Sequence, residues 1–300
     1  MAYTLSADEV AAFVDDGLVT PRYQLSDSLY ERAKAAVDEM IDGLAPADSE
    51  FALVAHLPQR PGVAGGSPGG DKVFRVAIDP EILDLVEAVL GPDLILWGSS
   101  LFAKPAGVGK RVQWHQDSNW WPMKPMVTAT VWIAIDEASP DNGCLRYIPG
   151  SHRWPVLPHA DQTEDGLLGD CIERSALEGA LPRDIVLKPG HFSIHQANLV
   201  HGSEPNRSSQ RRAGLVLRYM PATALFDRSD ADEIEKDSLM RTGDTAKYGV
   251  RPIWLVRGVN RHPGNDFVVG HGPLADLDEL VVAARAVPTL GPAERETGDV

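Results

Sequence analysis

The sequence has 300 residues, of which 43% are hydrophobic and 24% are charged, and its formal net charge is −15. This composition is typical of a globular protein, and the excess of acid argues against nonspecific binding to nucleic acid or to an anionic membrane. No apolar run is long enough to span a membrane, and the N-terminal residues lack the basic and apolar regions of a secretory signal. Two cysteines are too few for a disulfide framework, so we expect a cytoplasmic protein.

The N-terminal part of the chain, about 1–92, predicts helices. Ser6 and Glu9 have the spacing of a capping box at the start of one helix, and Ser28 and Glu31 repeat that spacing before a second. Apolar residues then recur at helical intervals in the second segment, at Leu29, Ala33, Ala36, Val37, Met40, Ile41 and Leu44. These residues predict the buried face of a long helix.

Two further segments of the chain predict loops that cover a site. The stretch 56–72 is rich in glycine and proline, and it precedes a third predicted helix at 80–90. We interpret 56–72 as a flexible lid rather than a plain linker. The polar stretch 227–248 is either a surface helix or a second lid.

From residue 94 onward the pattern changes to short β-rich segments separated by Gly, Pro, Asn or Asp. The candidate strands are 94–104, 111–117, 127–136, 144–148, 184–188, 191–196, 212–219 and 252–257. Both faces of 127–136 are predicted to be buried, as in a sandwich or barrel, and no long helix separates the strands. We therefore expect a mainly β fold with helical decoration, in one domain with a helical part (about 1–92), a β core (about 93–260) and a C-terminal extension (261–300).

A candidate metal site begins at His115 and Asp117, which are separated by one residue and share a face if the chain is extended there. A third ligand is available at His201, which we expect at a strand end facing a cavity. Two imidazoles and one carboxylate bind one face of an octahedral Fe(II) and leave three positions open. The alternative for His115 and Asp117 is a hydrogen-bonded polar pair inside the fold.

A candidate anion site lies nearby in the sequence, at Arg212, eleven residues after His201. We expect its strand to be the antiparallel neighbour of the His201 strand, close to the metal. A guanidinium group holds a carboxylate by two parallel hydrogen bonds. Arg211 competes for this role, but adjacent residues of a strand point to opposite faces, so one of the two reaches the cavity.

Three motifs together resemble the phytanoyl-CoA dioxygenase family of Fe(II)- and 2-oxoglutarate-dependent oxygenases. They are HQD followed by a tryptophan-containing strand, NGCLRYIPGSH at 142–152, and HGSEPN followed by an arginine. The resemblance covers roughly 8–220. It implies a double-stranded β-helix, which is a jelly-roll or cupin-like barrel, preceded by helices and carrying the metal at its open end.

The resemblance also implies roles for individual residues. His115, Asp117 and His201 would be the catalytic iron ligands, Arg212 would bind the distal carboxylate of 2-oxoglutarate, and Trp132 and Ser203 would line the co-substrate pocket. Related halogenases have alanine or glycine in place of the carboxylate, so Asp117 favours hydroxylation or another oxidation over halogenation. The co-substrates would be 2-oxoglutarate and O2, and the products would include succinate and CO2.

The residues around the metal motif include candidate contacts to a small-molecule substrate, namely Gln113, Trp120 and Trp121. Core packing for the tryptophans and surface exposure for Gln113 are the alternatives. We interpret His195 as structural or pocket-lining. Two other classes stay open, a non-oxidative cupin-like metalloenzyme (an isomerase or hydrolase) and a small-molecule binding protein that has lost catalysis. The sequence leaves both monomer and homodimer possible.

Overall fold

A computed structural model describes residues 4–44, 50–61, 66–161, 166–229 and 247–286. Most of the predicted second lid, residues 230–246, lies outside the described residues, as does the end of the chain after residue 286. Within the described ranges, no helix combines the length and the apolarity that are needed to cross a membrane.

Four helices precede most of the strands and a fifth follows them. They are α1 (Ala7–Asp16), α2 (Asp27–Gly43), α3 (Gly70–Ala77), α4 (Pro80–Leu90) and α5 (Ala275–Ala286). The capping box of Ser6 and Glu9 is confirmed. The predicted cap at Ser28 is wrong. The hydroxyl of Ser26 accepts the hydrogen bond from the Leu29 backbone nitrogen, and α2 begins at the next residue, Asp27. The stripe of Leu29 to Met40 is buried as predicted.

Fifteen short strands form the described β structure. They are β1 (Leu18–Val19), β2 (Phe51–Leu53), β3 (Leu94–Lys104), β4 (Val112–His115), β5 (Met123–Lys124), β6 (Ala129–Ala134), β7 (Leu145–Tyr147), β8 (His159–Asp161), β9 (Asp170–Ile172), β10 (Arg183–Asp184), β11 (Phe192–His195), β12 (His201–Ser203), β13 (Arg212–Pro221), β14 (Leu225–Phe226) and β15 (Trp254–Arg257). Each predicted strand overlaps one of these. The two-residue and three-residue strands β1, β2, β5, β8, β9, β12 and β14 are not among the predicted strands, because so short a segment carries little periodicity.

Two antiparallel sheets build the core. The larger has the order β1–β11–β6–β13–β3–β15, with β2 also paired to β3, and the smaller has the order β10–β7–β12–β4. Side chains from both sheets meet in one apolar cluster, where Trp132 and Val216 of the larger sheet pack with Leu145 and Tyr147 of the smaller. The fold is the predicted jelly-roll sandwich with helical decoration.

Both faces of the larger sheet are covered, as the sequence of 127–136 predicts. Val131, Ile133 and Leu215 point to one face and share a core cluster with residues of α2, α3 and α4. Thr130 and Trp132, which alternate with them, line a cavity between the two sheets. The helices therefore support the outer face of the sheet whose inner face carries the site.

The ends of the predicted lid 56–72 belong to the packed core. His56 and Leu57 are fully buried, and Gly70 begins α3. The flexible-lid interpretation is therefore wrong for these ends, because their side chains and backbone are packed against the core. Residues 62–65 in the middle lie outside the described residues.

The C-terminal extension contains α5, which was not predicted as a helix. Leu277 and Val281 of α5 join the same core cluster as the N-terminal helices. The indole nitrogen of Trp254 on β15 donates a hydrogen bond of 2.8 Å to the carboxylate of Asp278. The extension thus covers the edge of the larger sheet at β15.

Candidate metal centre

A cavity with about 460 Å³ of empty volume, including its open mouth, lies between the two sheets. Both sheets contribute side chains to its wall, and one further residue comes from the turn that follows β4. The lining residues that carry polar groups are His115, Asp117, Thr130, Trp132, His195, His201, Ser203, Arg212 and Arg218.

His115, Asp117 and His201 come together at one end of this cavity. The potential ligand atoms of the three side chains all lie within 4.8 Å of one another, and His115 Nε2 is 3.6 Å from Asp117 Oδ1. His201 opens β12 and pairs in register with His115 at the end of β4. The sequence predicts that Asp117 continues this strand. Asp117 instead begins a single 3-10 turn, which returns its carboxylate towards His115.

The two imidazoles of this trio are held in the orientation that metal binding requires. His115 Nδ1 is 2.7 Å from the backbone oxygen of Gln113, and His201 Nδ1 is 2.9 Å from that of Leu199. Because a carbonyl oxygen only accepts hydrogen bonds, each Nδ1 carries the proton and donates it. In the neutral ring this leaves the Nε2 lone pair free for a metal ion.

The protonation states of the trio also suit a cation. Burial would raise the pKa of Asp117, but the adjacent imidazole of His115 and the positive charge of Arg218 hold that pKa well below its usual value. Burial and the neighbouring His115 lower the pKa of His201 far below 6.5. At neutral pH Asp117 is thus a carboxylate and His201 a neutral imidazole, and these are the forms that bind metals.

Arg212 faces the same cavity from the opposite sheet. Its strand β13 pairs with β3 and β6, whereas β12 pairs with β4 and β7, so the predicted pairing of the Arg212 and His201 strands is wrong. The two residues instead line the same cavity from different sheets. Sequence adjacency did not reveal this because the chain between them, 204–211, passes from one sheet to the other.

The guanidinium group of Arg212 is buried with part of its hydrogen-bonding capacity unused. Its Nη2 donates a 2.7 Å hydrogen bond to the backbone oxygen of Gly143, and its carbon lies 5.4 Å from the centre of the Trp132 ring. Its Nε has no hydrogen-bond partner among the described residues. Burial lowers its pKa to about 10, so it still carries a positive charge at neutral pH.

The neighbouring Arg211 points the other way, as strand alternation predicts. Its guanidinium group forms 2.8 Å ion pairs with Asp136 and Asp38 on the helical side of the larger sheet. Arg212 is only 2% exposed and lines the cavity. Of the two arginines, Arg212 is thus the one whose side chain lines the cavity.

The structure distributes the other predicted site residues over two environments. Trp132 and Ser203 line the cavity beside Arg212. Gln113 is buried, and its amide makes two hydrogen bonds with the backbone of Leu168, at 3.0 and 3.1 Å. The Trp120 ring centre lies 5.5 Å from that of His115, and Trp121 contacts Arg218; neither tryptophan is among the residues that line the cavity.

Sequence reasoning missed two polar residues of the cavity wall, Arg218 and Thr130. Arg218 lies six residues after Arg212 on β13, so strand alternation directs both side chains to the same face. That spacing is the signal that identifies it. His195, which we interpreted as structural or pocket-lining, lines the cavity, and burial lowers its pKa to about 4.

The jelly roll and its buried His–Asp–His set together define the class of double-stranded β-helix proteins with a candidate metal site between the sheets. Residues 13–214 match the family model of phytanoyl-CoA dioxygenase (PhyH). The chain belongs to the phytanoyl-CoA dioxygenase family.

Individual relatives agree with this assignment. The chain is 34% identical over 182 residues to a probable alpha-ketoglutarate-dependent hypophosphite dioxygenase of Stutzerimonas stutzeri, which covers 59% of this chain and 63% of the relative. It is 29% identical over 278 residues to an ectoine dioxygenase of Sphingopyxis alaskensis, covering 85% of this chain and 89% of the relative. The chain spans less than two thirds of the length of the first curated relatives that it matches.

A solved structure supports the fold assignment. The epimerase SnoN, described in complex with Fe3+, alpha ketoglutarate and nogalamycin RO, superposes with a TM-score of 0.61 at 22% identity. The match covers 80% of this chain and 91% of SnoN. At this identity the similarity is one of fold.

Proposed function

We propose that this protein is an Fe(II)- and 2-oxoglutarate-dependent dioxygenase that hydroxylates, or otherwise oxidises, a C–H bond of a small molecule. Succinate and CO2 would be the products derived from the co-substrate. One observation carries the proposal. A single cavity is lined by a His–Asp–His set and by a buried arginine whose Nε has no hydrogen-bond partner among the described residues.

The trio fits an iron ion by its chemistry and by the way it is held. In the proposal His115, Asp117 and His201 bind Fe(II), which when bound supplies the activation of O2. Two neutral imidazoles and one carboxylate are the donor set of non-haem iron oxygenases, and they leave coordination positions for co-substrates. The backbone acceptors of both Nδ1 atoms hold the rings in position before any metal arrives.

Arg212 fits one carboxylate of 2-oxoglutarate. A buried guanidinium group that keeps its charge and lacks a counter-ion among the described residues is expensive to maintain unless an anion binds there. Trp132 contacts Arg212, Ser203 lines the same cavity, and both would position that carboxylate. The other end of the dianion would then reach the metal held by the trio.

Asp117 also bears on the type of oxidation. Its carboxylate would occupy the coordination position that a halide needs, so hydroxylation or a related oxidation is favoured over halogenation. The named relatives include dioxygenases of hypophosphite and of ectoine, which are small molecules. We extend that property to this chain and propose a small-molecule substrate, with action in the reducing cytoplasm, where the two free cysteines are stable.

An oxygen-free titration tests the proposal. Metal-free protein is titrated with Fe(II) by calorimetry and then with 2-oxoglutarate, while the visible absorption band of keto-acid chelation is recorded. We expect tight metal binding and a new band in the wild type, and neither in Asp117→Ala. For Arg212→Gln we expect the same band with a 2-oxoglutarate Kd raised by roughly 10- to 100-fold, the effect of losing a charged hydrogen bond.

Arg211→Gln is the matched control, since it removes the adjacent arginine from the other face of the same strand. We expect its 2-oxoglutarate Kd to equal that of the wild type. Metal binding without the band would exclude the dioxygenase and favour a non-oxidative metalloenzyme. Absence of metal binding in the wild type would leave the small-molecule binding protein.

A further inference from the structure

A group of buried hydrogen-bond donors without acceptors lies beside the candidate metal centre. Trp97 Nε1, Arg218 Nε, and Nε and Nη2 of Arg228 are buried and have no hydrogen-bond partner among the described residues. Indole and guanidinium nitrogens can only donate. Trp97 and Arg218 are themselves 1% and 6% exposed. An unpaired buried donor costs free energy, so such a group indicates a missing acceptor.

The donors are joined by a continuous set of aromatic contacts. Arg218 lies over Trp121 at 5.2 Å, and the Trp121 ring centre is 4.6 Å from that of Trp97. Trp97 in turn is 6.2 Å from Phe226, whose ring lies 4.9 Å from the guanidinium carbon of Arg228. Three aromatic rings thus lie in succession between the two guanidinium groups, and of the two arginines Arg218 lines the cavity.

Arg218 is the member of this set that faces the metal centre. The Arg218 side chain lines the cavity together with His115, Asp117 and His201. Its Nη1 donates a 2.7 Å hydrogen bond to the hydroxyl of Ser100, which is neutral and does not balance the charge. The carboxylates that act on these arginines are Asp117 on Arg218 and Asp266 on Arg228.

The charges of the loaded site leave Arg218 uncompensated, if the proposed function is correct. The two positive charges of Fe(II) and the one of Arg212 balance Asp117 and the two carboxylates of 2-oxoglutarate. Once the metal is bound, the negative charge of Asp117 is therefore already balanced and does not neutralise Arg218. Arg218 then carries a buried positive charge for which the described residues offer no second carboxylate at ion-pair distance.

We infer that the primary substrate is itself an acid, and that its oxyanion (a carboxylate, phosphonate or phosphate) binds the guanidinium group of Arg218 in the cavity. That guanidinium group supplies forked donors to the oxyanion. The rest of the substrate then extends towards the metal held by His115, Asp117 and His201. This inference rests on the proposed function and gives that function a substrate class.

Calorimetric titrations with matched probes test the inference. Oxygen-free protein loaded with Fe(II) and 2-oxoglutarate is titrated with phenylacetate, phenylphosphonate, phenyl phosphate and the neutral phenylacetamide. We expect at least one of the three anions to bind about tenfold or more tightly than the amide. The tightest anion identifies the acid group as carboxylate, phosphonate or phosphate. Equal affinity of the amide, or no binding of any anion, would overturn the inference.

Variants locate the binding. Arg218→Gln should weaken binding of the tightest anion about tenfold or more, whereas Arg228→Gln and Arg22→Gln should leave its Kd unchanged. Circular dichroism reports that each variant is folded. Arg218→Lys keeps the charge but loses the forked donors, so its anion Kd should also rise, and it provides an independent answer if Arg218→Gln does not fold. Unchanged anion affinity in the folded Arg218 variants would refute the site.

The same samples separate the inference from the proposed function. If the anion binds and the Arg218 variants weaken that binding while no keto-acid band forms in the wild type, the oxyanion site stands and the dioxygenase proposal fails. If the band forms and the anions bind no better than the amide, the dioxygenase proposal stands and the acidic substrate is excluded.

Discussion

At the scale of single residues, the position of Arg212 depends on a glycine. An added Cβ at Gly214 would lie 2.1 Å from Cζ2 of Trp132, far inside van der Waals contact. The Trp132 ring is also the surface on which the Arg212 guanidinium group rests. Gly214 therefore gives the ring the space in which it supports the arginine.

We predict that Gly214→Ala destabilises the protein by about 1–3 kcal/mol and raises the 2-oxoglutarate Kd by about tenfold, because the ring must move and Arg212 moves with it. Urea unfolding and the absorption titration measure the two effects. Gly98→Ala on the neighbouring strand is the control, since its Cβ would meet Arg218 at an ordinary 3.6 Å. An unaltered 2-oxoglutarate Kd in Gly214→Ala would show that Trp132 does not position the arginine.

Some residues of the cavity wall can be predicted from the sequence and others cannot. His115, Asp117, His201 and Arg212 can be predicted because they belong to motifs with recognisable spacing. Arg218 was missed, since an arginine within an apolar strand has no motif of its own. Gln113 was predicted to touch substrate, and its amide instead holds the backbone of Leu168, a partner 55 residues away that no local pattern indicates.

At the scale of secondary-structure elements, the start of α2 depends on Ser26 and on a partner in another helix. The Ser26 hydroxyl accepts from the Leu29 backbone and donates 2.7 Å to the carboxylate of Glu81 in α4. That carboxylate also accepts from the Ser26 backbone at 2.8 Å and from the Tyr23 hydroxyl at 2.8 Å. One side chain thus links the beginnings of two helices that pack on the larger sheet.

We predict that Ser26→Ala lowers the free energy of unfolding by about 1–2 kcal/mol, as expected for the loss of a helix cap with a second hydrogen bond. Ser28→Ala should change it by less than about 0.5 kcal/mol, because Ser28 is exposed and does not cap the helix. Urea unfolding of both variants measures the difference. A larger effect at Ser28 than at Ser26 would contradict the observed start of α2.

The sequence allows two candidate caps here, because Ser28 and Glu31 satisfy the capping-box spacing as well as Ser6 and Glu9 do. The choice of Ser26 depends on Glu81, which lies 55 residues further along the chain. Local spacing therefore predicts that a helix exists and where its buried face lies. The residue at which it begins is decided by tertiary packing.

At the scale of the whole molecule, the two sheets bring together groups that are distant in the sequence. The strand pattern predicts where each major strand lies in the sequence, but it does not predict which sheet that strand joins. The Arg212 strand β13 was therefore wrongly predicted to pair with the His201 strand, although Arg212 faces the expected cavity. Sheet membership follows from long-range pairing and from the helices that cover the outer face, neither of which leaves a periodic signal.

The closed sandwich also buries a histidine that has no place in the trio. His56 is fully buried, and its Nδ1 and backbone nitrogen lie 2.7 and 2.8 Å from the hydroxyl of Ser99 on β3. Burial, together with the positive charges of Arg251 and Arg218, lowers its pKa to about 3. His56 is therefore neutral in the folded protein over the whole range in which an unfolded histidine becomes protonated.

We predict that the stability of the metal-free protein falls as the pH is lowered from about 6.5 towards 3. Below pH 6.5 the unfolded chain binds a proton at His56 and the folded protein does not, so protons favour unfolding by ~1.4 kcal/mol per pH unit for this one residue. Urea unfolding at several pH values between 7.5 and 4.5 measures the slope. His56→Asn keeps an acceptor for the Ser99 hydroxyl but does not titrate, so its slope should be shallower by that amount. Equal slopes in the wild type and in His56→Asn would mean that His56 gains a proton in the folded protein as readily as in the unfolded chain, and that the packing of helices and sheet around it does not exclude charge.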